Sequence, residues 1–181
     1  RPGDELLSPA GKPYDTLEEV IGIRDSVGSL KEYGVAYRQV DLLPDGTFDY
    51  EKIKKAVNEK TKLATIQRSR GYDTRPTFSV KQIGELIAFL KKEKPDIICM
   101  VDNCYGEFVD VTEPGDVGAD MTVGSLIKNP GGGLAPIGGY IVGRKDCVDR
   151  AAYRLSAPGL GKEVGASLGL NRSLYQGLFL A

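Results

Sequence analysis

The chain contains no histidine. That absence removes the Ser-His-Asp and Cys-His constellations from these residues, and with them every histidine-ligated metal site. A proton that moves near neutral pH must be carried by another group, and a lysine with a lowered pKa is the natural candidate. Cysteine is scarce as well. Cys99, Cys104 and Cys147 make an odd number, with no Cys-x-x-Cys pair. That argues against a disulfide framework or a structural zinc and points to a reducing, cytoplasmic setting. Neither sign of charge is in excess. With 24 basic and 25 acidic residues the net charge is −1, so nothing draws the chain to nucleic acid or an anionic membrane. No apolar run is long enough for a transmembrane helix, and the opening residues do not read as a signal peptide.

What is present is enough for one domain with a real core: 181 residues. The opening, Arg1-Pro2-Gly3-Asp4-Glu5, reads as the interior of a domain, and the end, Leu178-Phe179-Leu180-Ala181, stops inside an apolar stretch. A segment of a longer protein, cut at both ends, is the expectation. Apolar runs predict strands over 4–8, 35–42, 63–66, 97–101, 121–126 and 139–142. Thr16-x-x-Glu19 and Ser79-x-x-Gln82 are capping-box patterns, and Asp49 caps a third helix with Phe48 and Ile53 spaced as a hydrophobic staple. Val80, Ile83, Leu86, Ile87 and Leu90 fall on one helical face. Helices are also predicted over 145–155 and 161–175. Gly161, Gly165 and Gly169 recur every four residues in the latter, as close helix packing would need. Lys91-Lys92-Glu93-Lys94 reads as a solvated helix end. Strand and helix alternate over the first hundred residues, which predicts an α/β fold with a mainly parallel sheet sandwiched by helices.

In open α/β sheets, ligands gather at the carboxyl ends of the strands. Asp102 ends one apolar run and Lys128 follows another, and Gln67, Arg68 and Ser69 also fall at such an end. Taken singly, a lysine there is usually solvated and an aspartate usually starts a turn. Taken together they suit pyridoxal phosphate (PLP). The lysine amine forms a Schiff base with its aldehyde, and the carboxylate keeps the pyridine nitrogen protonated so that the ring accepts electrons. Nucleotide motifs fail: Gly161-Lys162 is followed by Glu163, and Gly159-x-Gly161 lacks its third glycine. Gly131-Gly132-Gly133 reads equally as a flexible turn or as a close backbone approach beside a cofactor. Cys99 reads as core, and Cys104 as core or site lining.

The ordered motifs Val101-Asp102-Asn103-Cys104-Tyr105, Gly118-Ala119-Asp120, Gly124-Ser125-Leu126-Ile127-Lys128 and Gly138-Gly139-Tyr140 resemble the fold-type I PLP enzymes of cysteine and methionine metabolism. Methionine gamma-lyase and cystathionine beta-lyase are examples. Gln67-Arg68-Ser69-Arg70-Gly71-Tyr72 and the run from Gly124 to Gly133 resemble the aluminium-resistance branch most. The resemblance implies that residues 1–181 are part of the large, aspartate aminotransferase-like PLP-binding domain, with 156–181 leading towards a small C-terminal domain. It implies Lys128 as the Schiff-base lysine and proton shuttle, its pKa lowered by burial and the cofactor. Asp102 would pair with the pyridine nitrogen and Ser125 with the phosphate, while Tyr14 would stack on the ring. Arg68 and Ser69 would lie near the ring hydroxyl or the substrate. Ile127 departs from the usual threonine of the phosphate cup. The implied reaction is carbon–sulfur bond cleavage in a sulfur-containing amino acid, in a homodimer or homotetramer that shares its active sites. The same scaffold carries aldolases, racemases and aminotransferases, and a PLP-binding stress-response protein with little turnover would fit the branch.

Overall fold

The computed structural model describes residues 1–163, 165 and 169–181. Six strands form one sheet: β1 (Glu5–Ser8), β2 (Ala36–Gln39), β3 (Thr61–Gln67), β4 (Ile98–Asp102), β5 (Met121–Ser125) and β6 (Gly139–Gly143). Their spatial order is β2-β1-β3-β4-β5-β6, parallel throughout except for β6, which runs antiparallel to β5. The helices are α1 (Asp15–Ile21), α2 (Tyr50–Ala56), α3 (Val80–Glu93), α4 (Lys145–Leu155) and α5 (Asn171–Leu180). The chain steps from β1 to β2 in one direction and then builds β3, β4 and β5 in the other. Right-handed crossovers therefore put α1 on the face opposite α2 and α3. The main core bears this out. Leu7, Ala64, Ile66, Cys99 and Val101 pack with Ile53 of α2 and with Ile83, Leu86, Ile87 and Leu90 of α3, and Ile21 of α1 lies outside that cluster. Among the described residues no helix is long and apolar enough to cross a membrane.

Local chemistry explains most boundaries. Ser79 and Gln82 form the complete predicted capping box on α3, and the Asp49 side chain accepts from the Lys52 backbone N–H at 2.9 Å at the start of α2. The Thr16–Glu19 box does not form. Helix α1 starts at Asp15, and its preceding residue Tyr14 makes no side-chain cap. The long helix predicted over 161–175 is also absent. Gly161–Glu163 is one 3-10 turn, helix begins again only at Asn171, and Gly161 and Gly169 have positive φ angles that an α-helix excludes. Residues 164 and 166–168 of that prediction lie outside the described residues.

Three buried polar groups hold the sheet's surroundings in place. Asp120, just before β5, accepts from the Cys99 backbone N–H at 2.8 Å, from Lys91 Nζ at 2.9 Å and from Arg144 Nη1 at 2.9 Å. Lys91 is thus a tie to the sheet, not part of a solvated helix end. Glu5 in β1 accepts from Arg38 in β2 at 3.0 Å and from Asn58 and Thr61 at 2.8 Å each. Arg68, immediately after β3, is 2% exposed. Its Nη1 donates to Asn103 Oδ1 at 2.9 Å and to the Gly106 carbonyl at 2.8 Å, and its Nη2 donates to Asp110 Oδ2 at 2.7 Å. The loop after β4 is therefore built on this guanidinium. A Cβ at Gly106 would lie 2.5 Å from Arg68 Nη1, so only glycine fits there.

Two stability predictions follow from these groups. Arg68→Ala leaves Asn103, Gly106 and Asp110 without their donor, and should lower the unfolding free energy by about 3–5 kcal/mol, read by urea titration. An unchanged midpoint would mean that the loop does not depend on Arg68. For Glu5, burial raises the carboxyl pKa, but the bonds from Arg38, Thr61 and Asn58 outweigh it and the net shift is below the ordinary 4.5. A depressed folded-state pKa gives stability that is present above the unfolded value and lost as pH falls through the folded one. The stability gap between wild type and Glu5→Gln should thus be largest above pH 4.5 and narrow on acidification.

Candidate active site

Parallel pairing sets the strand ends level. Gln67 in β3 stands beside Asp102 in β4, and Asp102 beside Val123 in β5. Side chains alternate between the two faces of a strand, so Gln67, Asp102, Val123 and Ser125 share one face, while Arg68 and Asn103 point to the other. On the shared face, Asp102, Cys104, Val123, Gly124 and Ser125 line a cleft of about 600 Å³, closed on its far side by Val148, Ala151 and Ala152 of α4. That volume suits a cofactor-sized ligand. The Asp102 carboxylate is oriented by the Cys104 backbone N–H, which donates to Oδ1 at 3.0 Å, leaving Oδ2 to meet a ligand. Ser125 Oγ accepts from the Ile127 N–H at 3.3 Å, which leaves the hydroxyl hydrogen to donate elsewhere. Burial, followed by the neighbouring Asp102, pushes the Cys104 thiol up to about 12, so it is no thiolate at neutral pH.

Lys128 lies on the turn three residues beyond β5, its backbone N–H donating to the Ser125 carbonyl at 3.2 Å. Its amine donates to the Tyr105 hydroxyl at 2.7 Å and sits 4.6 Å from the centre of the Tyr105 ring. The sequence reading expected a lowered pKa. The direction in the protein alone is the reverse: the bond to Tyr105 holds the ammonium form, outweighing the opposing effect of burial. Tyr14 precedes α1, with its ring centre 5.6 Å from that of Tyr72. Tyr72, as hydrogen-bond partner, and then burial raise the Tyr14 phenol to about 12. Tyr14, Gln67, Gly71 and Tyr72 line a second, polar recess of about 290 Å³.

The site residues read from the sequence therefore separate into two groups. Lys128, Asp102, Ser125 and Tyr14 all stand at the carboxyl ends of β1, β4 and β5, and Asp102 and Ser125 share one cleft. Arg68 does not join them, because it points to the opposite face and is spent on the loop after β4. Ser69 contributes its carbonyl, which accepts from Gln67 Nε2 at 3.0 Å and from Arg75. Sequence reasoning missed three contributors. Arg75 is packed at 5.0 Å on the Phe78 ring and donates to the Gln67 carbonyl at 2.9 Å. Tyr105 binds the Lys128 amine, and Asn129 donates to the carbonyls of Tyr105 and Glu107 at 3.2 and 3.0 Å. Tyr105 belongs to a recognisable motif, but no spacing rule says where a loop side chain turns. The glycine run serves neither of its two readings fully. It is a close approach, but to α5: a Cβ at Gly132 would meet the Gly177 carbonyl at 2.3 Å.

Comparison with known proteins agrees with this geometry. The chain is 54% identical to the uncharacterized protein YnbB of Bacillus subtilis, over all of this chain and 44% of that protein. It superposes with a TM-score of 0.97 on a crystal structure from Listeria innocua, of a proposed cystathionine beta-lyase involved in aluminium resistance. The two are 56% identical over all of this chain and 45% of that one. An L-methionine gamma-lyase of Treponema denticola is 26% identical over 76% of this chain and 32% of its own length. The chain thus spans less than half the length of each of these three relatives. The sequence profile of methionine gamma-lyase matches residues 1–181. With a mainly parallel sheet, level strand ends and an aspartate and a lysine at two of them, the chain belongs to the methionine gamma-lyase family.

Proposed function

We propose that this chain is the cofactor-binding portion of a PLP-dependent carbon–sulfur lyase acting on a sulfur-containing amino acid. The observation that carries the reading is that Asp102 and Ser125, at the ends of the paired strands β4 and β5, line one cleft, with Lys128 on the turn three residues beyond β5. The donor set fits the group. A carboxylate with a free oxygen suits a protonated ring nitrogen, a hydroxyl with a free hydrogen suits a phosphate oxygen, and a lysine amine suits an aldehyde. Family membership and the names carried by the Listeria innocua and Treponema denticola relatives favour lyase chemistry over the other reactions of the scaffold.

Bound PLP supplies an electron sink for the pair left when the substrate α-proton departs. The chain's own residues do the rest. With the cofactor bound, Asp102 would be the group that meets the ring nitrogen and holds the proton there. Ser125 anchors the phosphate end, and Tyr14 offers an aromatic face beside the site. Lys128 is the attachment point and then the base at the α-carbon. The bond to Tyr105 favours the ammonium form, so Lys128 must leave that hydroxyl and give up a proton before it can act as the base. Expulsion of the thiolate then breaks the carbon–sulfur bond. Tyr105, Phe108, Val109 and Val111 are exposed on the loop beside Lys128, which supports a homodimer or homotetramer in which a second copy packs against the site.

The test is on the full-length protein. Borohydride reduction followed by peptide mass mapping should place a pyridoxyl group on Lys128. Lys128→Ala should lose the adduct and all turnover, and Asp102→Asn should lower turnover at least about a hundredfold while the adduct persists. A panel scoring thiol, keto-acid and aldehyde products identifies the reaction, and absence of thiol from every sulfur amino acid would sink the lyase reading. Full activity in Lys128→Ala would overturn the site.

A further inference from the structure

We propose that Asn129 is a positioning residue: its carboxamide ties the turn carrying Lys128 to the loop after β4, and so sets where the Tyr105 hydroxyl meets the lysine amine. The inference rests on Lys128 being the reacting lysine of the proposed function. Its evidence is independent of any cofactor.

Three observations meet at this point. First, Asn129 Nδ2 donates to both the Tyr105 and Glu107 carbonyls, at 3.2 and 3.0 Å, so one side chain bridges the two ends of a short turn. Second, that turn is strained. Tyr105 has a φ of 68° and Phe108 one of 63°, both in the left-handed region that residues with a Cβ avoid. Such conformations persist only where surrounding contacts over-determine them, and they cluster at functional sites. Third, the strained residue itself carries the hydroxyl that binds Lys128, at 2.7 Å.

Arg68 cannot take over this role. It reaches the Gly106 carbonyl, Asn103 and Asp110 from beneath, and fixes the base of the loop. The carbonyls on either side of Gly106 are turned the other way and are met by Asn129 alone of these two side chains. Asn129 adjoins Lys128 in sequence, so its carboxamide links the turn that carries the amine directly to the residue that carries the hydroxyl. Without the bridge the two carbonyls lose a donor, the left-handed turn relaxes and the Tyr105 hydroxyl withdraws. The titratable groups that act on the amine are Tyr105 and Cys104 from the loop after β4 and Tyr72 from the loop after β3. Of these, only Tyr105 gives it a hydrogen bond.

The experiment reads the amine directly in full-length enzyme stripped of cofactor. Lys128 is labelled competitively with acetic anhydride across a range of pH, and the modified peptide is quantified by mass. Losing an acceptor that favours the ammonium form lowers a lysine pKa. Asn129→Ala should therefore lower the labelling midpoint by about half a pH unit, a roughly threefold larger reactive fraction below it. Tyr105→Phe should lower it equally, and the double variant should add nothing further, since both changes remove one interaction. Asn129→Ser, which keeps a donor too short to span both carbonyls, should fall between, and it is the variant to read if Asn129→Ala does not fold. An unchanged midpoint in the folded asparagine variants, or a shift that adds to that of Tyr105→Phe, would overturn the proposal. Neither result depends on whether Lys128 takes up PLP, which the borohydride mapping decides separately.

Discussion

Because β3, β4 and β5 run parallel in a fixed register, Gln67, Asp102 and Val123 are forced to stand side by side. Everything at the site inherits that constraint. A one-residue slip of β4 would turn Asp102 into the core, move Cys99 and Val101 out of it, and bring Asn103 round to the place of Asp102. The slip is resisted from the core side. Ile66 and Val101 face each other across the β3–β4 pair and are fully buried, and α3 covers them with five apolar residues. Asp120 adds a polar lock by binding the Cys99 backbone N–H while tying in Lys91 and Arg144. The hydrophobic face of the sheet thus determines which residues the opposite face presents to a ligand.

The loop after β4 solves a second problem, that of placing a hydroxyl near an amine where no regular element does so. Its conformation includes two left-handed residues, each costing about 1–3 kcal/mol. A buried guanidinium holding three acceptors from below supplies the support, since charge-assisted bonds of this kind are among the stronger polar contacts. Arg68 stands next to the site in sequence and on the far side of the sheet in space. Its hydrogen bonds go to the loop, away from the face that carries Asp102.

How far the sequence disclosed this depends on whether a signal was periodic. Strand and helix positions followed from apolar runs and from the caps at Asp49 and Ser79, because those interactions are local. The positions of Asp102, Ser125 and Lys128 at the ends of β4 and β5 were legible because they sit at fixed offsets from apolar runs. Arg68 was misplaced by the same rule, since ending a strand says nothing of which face a residue takes until the register is known. The helix predicted over 161–175 failed because four-residue glycine spacing was read as packing, while Gly161 and Gly169 serve as left-handed turn residues. Asn129 carried no signal, and the motif that holds Tyr105 did not say where its side chain turns. Their bonds are between loops 22 to 24 positions apart in sequence, and depend on backbone angles that composition does not specify.

The absence of histidine returns here with a physical consequence. Imidazole titrates near neutrality without help, but a lysine must be brought down from about 10.4 before it can act as a base. Tyr105 pushes Lys128 in the opposite direction in the protein alone. Both facts are compatible if the phenol and the cofactor aldehyde compete for one amine. The hydroxyl then serves as a resting place for the charged lysine, and departure from it is the event that makes the amine available. A lysine left unheld on the turn after β5, half-exposed, would sample many rotamers and lose side-chain entropy on each return. Holding it over the Tyr105 ring removes most of that loss in advance, through a single hydrogen bond.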